Sequence, residues 1–238
     1  MNTQHLTYTD GEITCEAYVA YDESRISKRP CVLVSHQWSG QSEVERKKAE
    51  ELARLGYVGF AIDIYGKGVR GGLLDDNSRL MQPFLDDRAM LRRRILAGLA
   101  AAQKHPMVDP DSIGAIGYCF GGLCALDLAR SAAPGVKGVV SFHGVLHPPK
   151  IGEQPPITAK VLILHGYDDP LAPPEDVLAI ARELTDAKAD WQLHAYGHTM
   201  HAFTAQGVDL PERGLKYNPA AARRSWTAMK NFFEETLA

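Results

Sequence analysis

Gly117-Tyr118-Cys119-Phe120-Gly121-Gly122 follows the apolar run 113–116 and precedes the helix-forming run 123–129. This is G-x-C-x-G-G, the cysteine form of the G-x-S-x-G turn that carries a nucleophile between a strand and a helix. The spacing has a physical cause. Such a turn holds its central residue in a strained backbone conformation, so its neighbours must lack bulk, and Gly117 and Gly121 supply the room. It also sets Cys119 at a helix N-terminus, where the dipole and free N–H groups favour a thiolate. The Phe120 N–H is then aimed at any oxyanion that develops. The plain alternative is a glycine-rich turn whose cysteine merely packs; a base and an acid further along the chain separate the two readings.

Both follow. The apolar run 161–164 leads into His165-Gly166-Tyr167-Asp168-Asp169-Pro170, which puts a carboxylate on the loop after a late strand. Asp169 is the expected orienting acid, and Asp168 is read as a turn residue. The run 191–196 then leads to Gly197-His198-Thr199-Met200-His201-Ala202-Phe203, and His201 is the expected base. Nucleophile, acid, histidine is the chain order of α/β-hydrolases. The second oxyanion donor is expected from the loop after an early strand, His36-Gln37-Trp38-Ser39-Gly40, with the Trp38 N–H as candidate. His194, His198 and His201 match no standard zinc spacing, so no metal and no cofactor is expected.

Around these segments, strands and helices alternate, the pattern of a parallel sheet covered on both faces. Strands are expected at 13–21, 31–35, 57–64, 112–118, 136–142, 161–165 and 191–196. Helices are expected at 42–55, from about 86 to 104, and at 121–130, 175–184 and 219–236. Ser42 can cap the first helix, Glu43 and Glu45 suit its positive end, and Gly56 ends it. In the second helix Leu91, Ile95 and Leu99 form a buried stripe, while Arg92, Arg93 and Arg94 are expected mostly outward. The first ten residues carry no clear pattern beyond a turn at Asp10-Gly11. Residues 66–81 read as loop. Gly66, Gly68 and Gly71 spell G-x-G-x-x-G there, but no helix pattern opens at the third glycine, so a dinucleotide site is not expected.

The bulk numbers fit. The 238 residues are 45% hydrophobic and 23% charged, with a formal charge of −3 and no basic tail, which argues against nucleic acid or an anionic membrane as partner. No apolar run approaches the roughly 20 residues of a membrane span, and the N-terminus lacks a secretory pattern. The four cysteines are too sparse for a disulfide framework, and Cys15 and Cys31 read as buried strand thiols. A single domain over residues 1–238 in a reducing cytoplasm is expected, as monomer or homodimer.

With those residues quoted, the chain resembles the dienelactone hydrolase family along nearly its whole length. The resemblance rests on G-Y-C-x-G-G at 117–122, the Asp169 loop and His201-Ala202-Phe203. It implies an α/β-hydrolase fold and a Cys-His-Asp triad that opens lactones or cleaves small esters without a cofactor. Family members carry a glutamate in the loop after the early strand that helps control the resting thiol; Gln37 stands at that position here, with Glu43 and Glu45 nearby. They also hold a substrate carboxylate with arginines. Arg79 lies in the matching region, but Thr204-Ala205 occupies the other expected place. Gln37 and Arg79 are thus the expected substrate-binding residues, and a larger or less acidic ester fits as well as dienelactone. An acyl transferase, or a non-catalytic binding or redox-sensing protein with a reactive Cys119, are the rival classes.

Overall fold

The computed structural model describes residues 1–72 and 75–237. Eight strands form one sheet in the order β1-β2-β4-β3-β5-β6-β7-β8. They are β1 (Asn2–Asp10), β2 (Ile13–Tyr21), β3 (Arg29–Ser35), β4 (Val58–Ala61), β5 (Val108–Tyr118), β6 (Val136–Phe142), β7 (Lys160–Gly166) and β8 (Trp191–Tyr196). The β1–β2 and β2–β4 pairs are antiparallel, and every later pair is parallel. The helices are α1 (Glu43–Arg54), α2 (Ser78–Asp86), α3 (Arg88–Gln103), α4 (Phe120–Arg130), α5 (Pro174–Asp186) and α6 (Pro219–Thr236). A short pair, β9 (Asp209–Leu210) and β10 (Leu215–Lys216), follows β8. The expected mostly parallel α/β architecture is the one observed.

The strand runs are apolar throughout because successive side chains enter opposite layers. Cys31, Leu33, Ile113, Ala115, Val161 and Ile163 pack with α3, α4 and α5. Val32, Val34, Ile116, Tyr118, Leu162 and Leu164 pack with α1 and α6. Leu91, Ile95 and Leu99 are buried as expected, each such side chain contributing about 1.5–3 kcal/mol. Ser42 caps α1 reciprocally: its Oγ accepts from the Val44 N–H at 3.2 Å, and its N–H donates to Glu45 Oε2 at 2.8 Å.

Four expectations need correction. The first ten residues are a full strand, β1, whose partner across the Gly11 turn is β2. The strand expected at 57–64 pairs only over Val58–Ala61, because the chain then turns around the buried Asp63 carboxylate. Helix α2 starts inside the segment read as loop and contains Pro83; α3 begins only at Arg88, capped by Asp87, whose side chain accepts from the Met90 N–H. Arg94 is not on a solvated face. It is buried, bonded to Asp10 Oδ2 at 3.0 Å and to the Ile64 carbonyl at 2.8 Å. The expectation of outward arginines fails there because β1, unseen in the sequence, brings Asp10 to the helix.

Candidate active site

Strand β5 runs into α4 through Cys119, whose φ of 56° and ψ of −117° lie outside the common regions. A strained residue at a strand end is costly and marks a functional turn. Gly117 permits it: a Cβ there would lie 1.9 Å from the Gly121 carbonyl oxygen. Gly121 in turn passes close to β3, where a Cβ would meet the Ser35 oxygen at 2.3 Å. The obstacles are backbone and cannot swing aside. Gly117→Ala should therefore cost about 3 kcal/mol, the upper part of the usual overpacking range, and lower Tm by roughly 6–12 °C. Thermal denaturation checks it, and a variant as stable as the native chain would mean the turn is looser than drawn.

Cys119 is half-buried, whereas Cys15, Cys31 and Cys124 are buried. Its carbonyl accepts from the N–H groups of Gly122 and Leu123, which starts α4 directly beneath the thiol. Phe120 is the first residue of that helix, so its N–H has no partner within it. The Trp38 N–H, on the loop between β3 and α1, has no hydrogen bond among the described residues.

The loop after β7 carries Asp169, which is buried, while the Asp168 side chain is exposed. Asp169 Oδ1 accepts from the Leu171 N–H at 2.8 Å, and Oδ2 lies 2.7 Å from His201 Nδ1. The histidine loop is anchored by the small strand pair: the His201 N–H donates to the Gly214 carbonyl, and the Lys216 N–H donates to the His201 carbonyl. His201 Nε2 is buried and has no hydrogen-bond partner among the described residues. Burial works against a charge on His201, but the Cys119 charge and the Asp169 hydrogen bond outweigh it and raise its pKa to about 10. Cys119, His201 and Asp169, 82 residues apart at the extremes, are one electrostatic unit.

Gln37, expected to bind substrate, is half-buried, and its N–H reaches Glu45 Oε1 at 3.4 Å. Together with Tyr118, Thr204 and Gln206 it lines a cavity of about 260 Å³. Glu43 is exposed on α1, while Glu45 is buried and burial raises its pKa despite the Ser42 hydrogen bonds. Arg79, the other expected substrate-binding residue, is exposed on α2 and makes no hydrogen bond or ion pair among the described residues. His194 and His198 are exposed and stand apart from the buried His201. No group of three His, Cys, Asp or Glu side chains among the described residues could hold a metal ion.

A second histidine stands beside His201. His143, just beyond β6, is buried at φ 38° with its ring centroid 5.0 Å from that of His201. Its Nε2 meets Thr204 Oγ1 at 2.8 Å, and burial together with the His201 charge pushes its pKa well down, so it faces His201 as a neutral ring. The available signal was its position at the carboxyl end of a parallel strand, where open α/β sheets place ligands.

Residues 15–237 match the Dienelactone hydrolase family. The chain belongs to that family. Among solved structures, it is similar to a dienelactone hydrolase-like promiscuous phosphotriesterase from metagenomic libraries, with 37% identity and a TM-score of 0.93, covering 100% of this chain and 99% of that one. Among curated relatives, a Caenorhabditis elegans protein of uncharacterised function is 34% identical over 64% of this chain and 98% of its own length. A Synechocystis protein provisionally named a carboxymethylenebutenolidase is 26% identical over 100% of this chain and 98% of its own. In this family member no helix among the described residues is long and apolar enough to cross a membrane.

Proposed function

We propose that the whole chain is one catalytic domain that hydrolyses small esters, lactones or thioesters, with Cys119 as nucleophile, His201 as acid and base, and Asp169 as its orienting carboxylate. The observation that carries this reading is the strained Cys119 at the start of α4 together with a buried His201 whose Nδ1 lies 2.7 Å from Asp169 Oδ2. The names of its relatives, a carboxymethylenebutenolidase and a promiscuous phosphotriesterase, support an ester-cleaving reaction.

In the cycle, the Cys119 sulfur bonds to the carbonyl carbon and the carbonyl π pair moves to oxygen, facing the Phe120 and Trp38 N–H groups. The tetrahedral adduct collapses, the C–O bond breaks, and the departing oxygen takes the Nε2 proton of His201. A thioester remains. His201, now neutral, removes a proton from water as that water attacks the thioester carbon, and the thiolate leaves with its electron pair. Asp169 stays ionised throughout. Because thiolate is itself a good leaving group, the first adduct reverts unless the alcohol also leaves well. Enol, aryl and thiol esters are therefore the favoured substrates, and plain alkyl esters are not.

Turnover of a panel of p-nitrophenyl esters, enol lactones and thioesters, before and after alkylation of the thiol with iodoacetamide, tests the proposal. The expected rates follow the leaving group and vanish on alkylation at Cys119. A thiol that alkylates readily in a chain that turns over none of the panel would instead favour a binding or sensing protein.

A further inference from the structure

Resting on the reading just given, we infer that His36 and Tyr65 are positioning residues that hold the two oxyanion N–H groups in register. The ring of His36 is fully buried and bonded at both nitrogens. The Ile64 N–H lies 3.1 Å from Nε2 and can only donate, so Nε2 must accept. That fixes the neutral tautomer with its proton on Nδ1, which donates to the Gln37 carbonyl at 2.7 Å. The Gly40 N–H, 3.2 Å away, is a second donor to the same oxygen.

That carbonyl belongs to the peptide unit whose other end is the Trp38 N–H. The unit is planar and trans, so its N–H and C=O point in opposite directions. With the Gln37 oxygen pinned toward the buried His36 ring, the Trp38 N–H is turned away from the interior. Rotation of this one peptide would swing the donor out of place, and His36, with the longer Gly40 bond, resists it.

Tyr65 reaches both donors. Its hydroxyl donates to the Trp38 carbonyl at 2.9 Å, which fixes the next peptide unit. Its ring stacks on Phe120, at 5.8 Å between centroids and 29° between planes, and meets His36 edge-on at 4.6 Å. Tyr65 is itself held by Asp63, whose Oδ1 accepts from the Tyr65 and Gly66 N–H groups at 3.2 and 3.0 Å. Burial lowers the pKa of His36 to about 4, against the smaller opposing effects of the Gln37 hydrogen bond and Asp63, so the accepting tautomer persists at neutral pH. The loops after β3 and β4 are thereby tied to the start of α4 through three rings. A spacing between two N–H groups on different segments needs such a tie, since preorganised donors act only if they need not reorganise as charge develops.

The test uses the full chain with Tyr65→Phe, which keeps the ring, and the pair His36→Asn and His36→Leu. The asparagine amide N–H can stand where Nδ1–H does; leucine has no donor. Three readouts are taken: kcat and KM on an aryl ester, affinity for an aryl trifluoromethyl ketone, and the rate at which iodoacetamide alkylates Cys119. The ketone forms a sulfur–carbon bond and places its alkoxide where the oxyanion would be, whereas alkylation makes no oxyanion. Tyr65→Phe is expected to lower kcat about tenfold with KM within about twofold, and to weaken the ketone by the same factor, with alkylation unchanged; outright loss of a donor would cost about 10²–10³. His36→Asn should retain more kcat than His36→Leu. Unchanged kcat and ketone affinity in Tyr65→Phe would overturn the inference, as would a fall in kcat matched by slower alkylation, which would mean a damaged thiol. Turnover that survives loss of the Cys119 thiol would remove the proposed function itself, a result distinct from either.

Discussion

Cys119→Ala is expected to lower kcat on aryl esters by about 10⁴–10⁶-fold, the range seen when a covalent nucleophile is deleted. Alanine keeps the Cβ, so the unusual backbone at position 119 carries the same steric cost in both proteins, and the fold should be retained. A rate loss in a chain that still folds separates chemistry from folding. The same substitution makes a second statement about His201. Cys119 is the largest influence raising its pKa, so the value should fall from about 10 when that sulfur is gone, which NMR titration of the imidazole can follow. A group with a raised folded pKa contributes stability that is complete below its unfolded value, near 6.5, and lost as pH rises through the folded one. Native protein should therefore lose stability between about pH 6.5 and 10 more steeply than Cys119→Ala. If kcat falls but the His201 titration does not move, the two side chains are not the coupled pair described.

Asp169→Asn should cost about 10³–10⁴ in kcat, comparable with the effect of the wrong histidine tautomer in serine enzymes. The geometry says why. Asp169 Oδ1 is occupied by the Leu171 N–H, which only an oxygen can accept. An asparagine would keep its oxygen there and turn its NH₂ toward His201 Nδ1. That nitrogen would then have to accept, the ring proton would move to Nε2, and no base would face the water needed to hydrolyse the thioester. Acyl-enzyme should consequently accumulate, visible by mass spectrometry as a chain carrying one acyl group and in stopped flow as a burst equal to the enzyme concentration. A loss smaller than about tenfold, with no burst, would show that Asp169 does not set the tautomer.

Much of this was legible in the sequence. The continuous apolar runs, the cap at Ser42, the stop at Gly56 and the G-x-C-x-G-G turn are local signals, and the elements they predict are present with shifts at their ends. Of the glycine–cysteine pattern, Gly117 answers to a clash inside the turn, with the Gly121 carbonyl, whereas Gly121 is required by the approach of Ser35 on β3. Asp169 over Asp168 was also readable, and the buried contact of Asp169 with His201 agrees with it.

The rest depended on segments distant in sequence. Residues 2–10 alternate weakly because β1 is an edge strand with one face in solvent, and without it nothing predicts that Arg94 is buried against Asp10. That Arg79 is exposed on α2 is likewise a property of packing. His36, Tyr65 and His143 each look like ordinary strand-end aromatics, and their significance lies in what the fold sets beside them. By itself the sequence determined the order of most elements, the strained turn and the residue types able to do thiol chemistry, since these rest on backbone sterics and local periodicity. Only the tertiary structure decided which charges face one another, which tautomer His36 holds and which way the Trp38 N–H points. Those depend on desolvation and hydrogen bonds between loops that meet only when the sheet has formed.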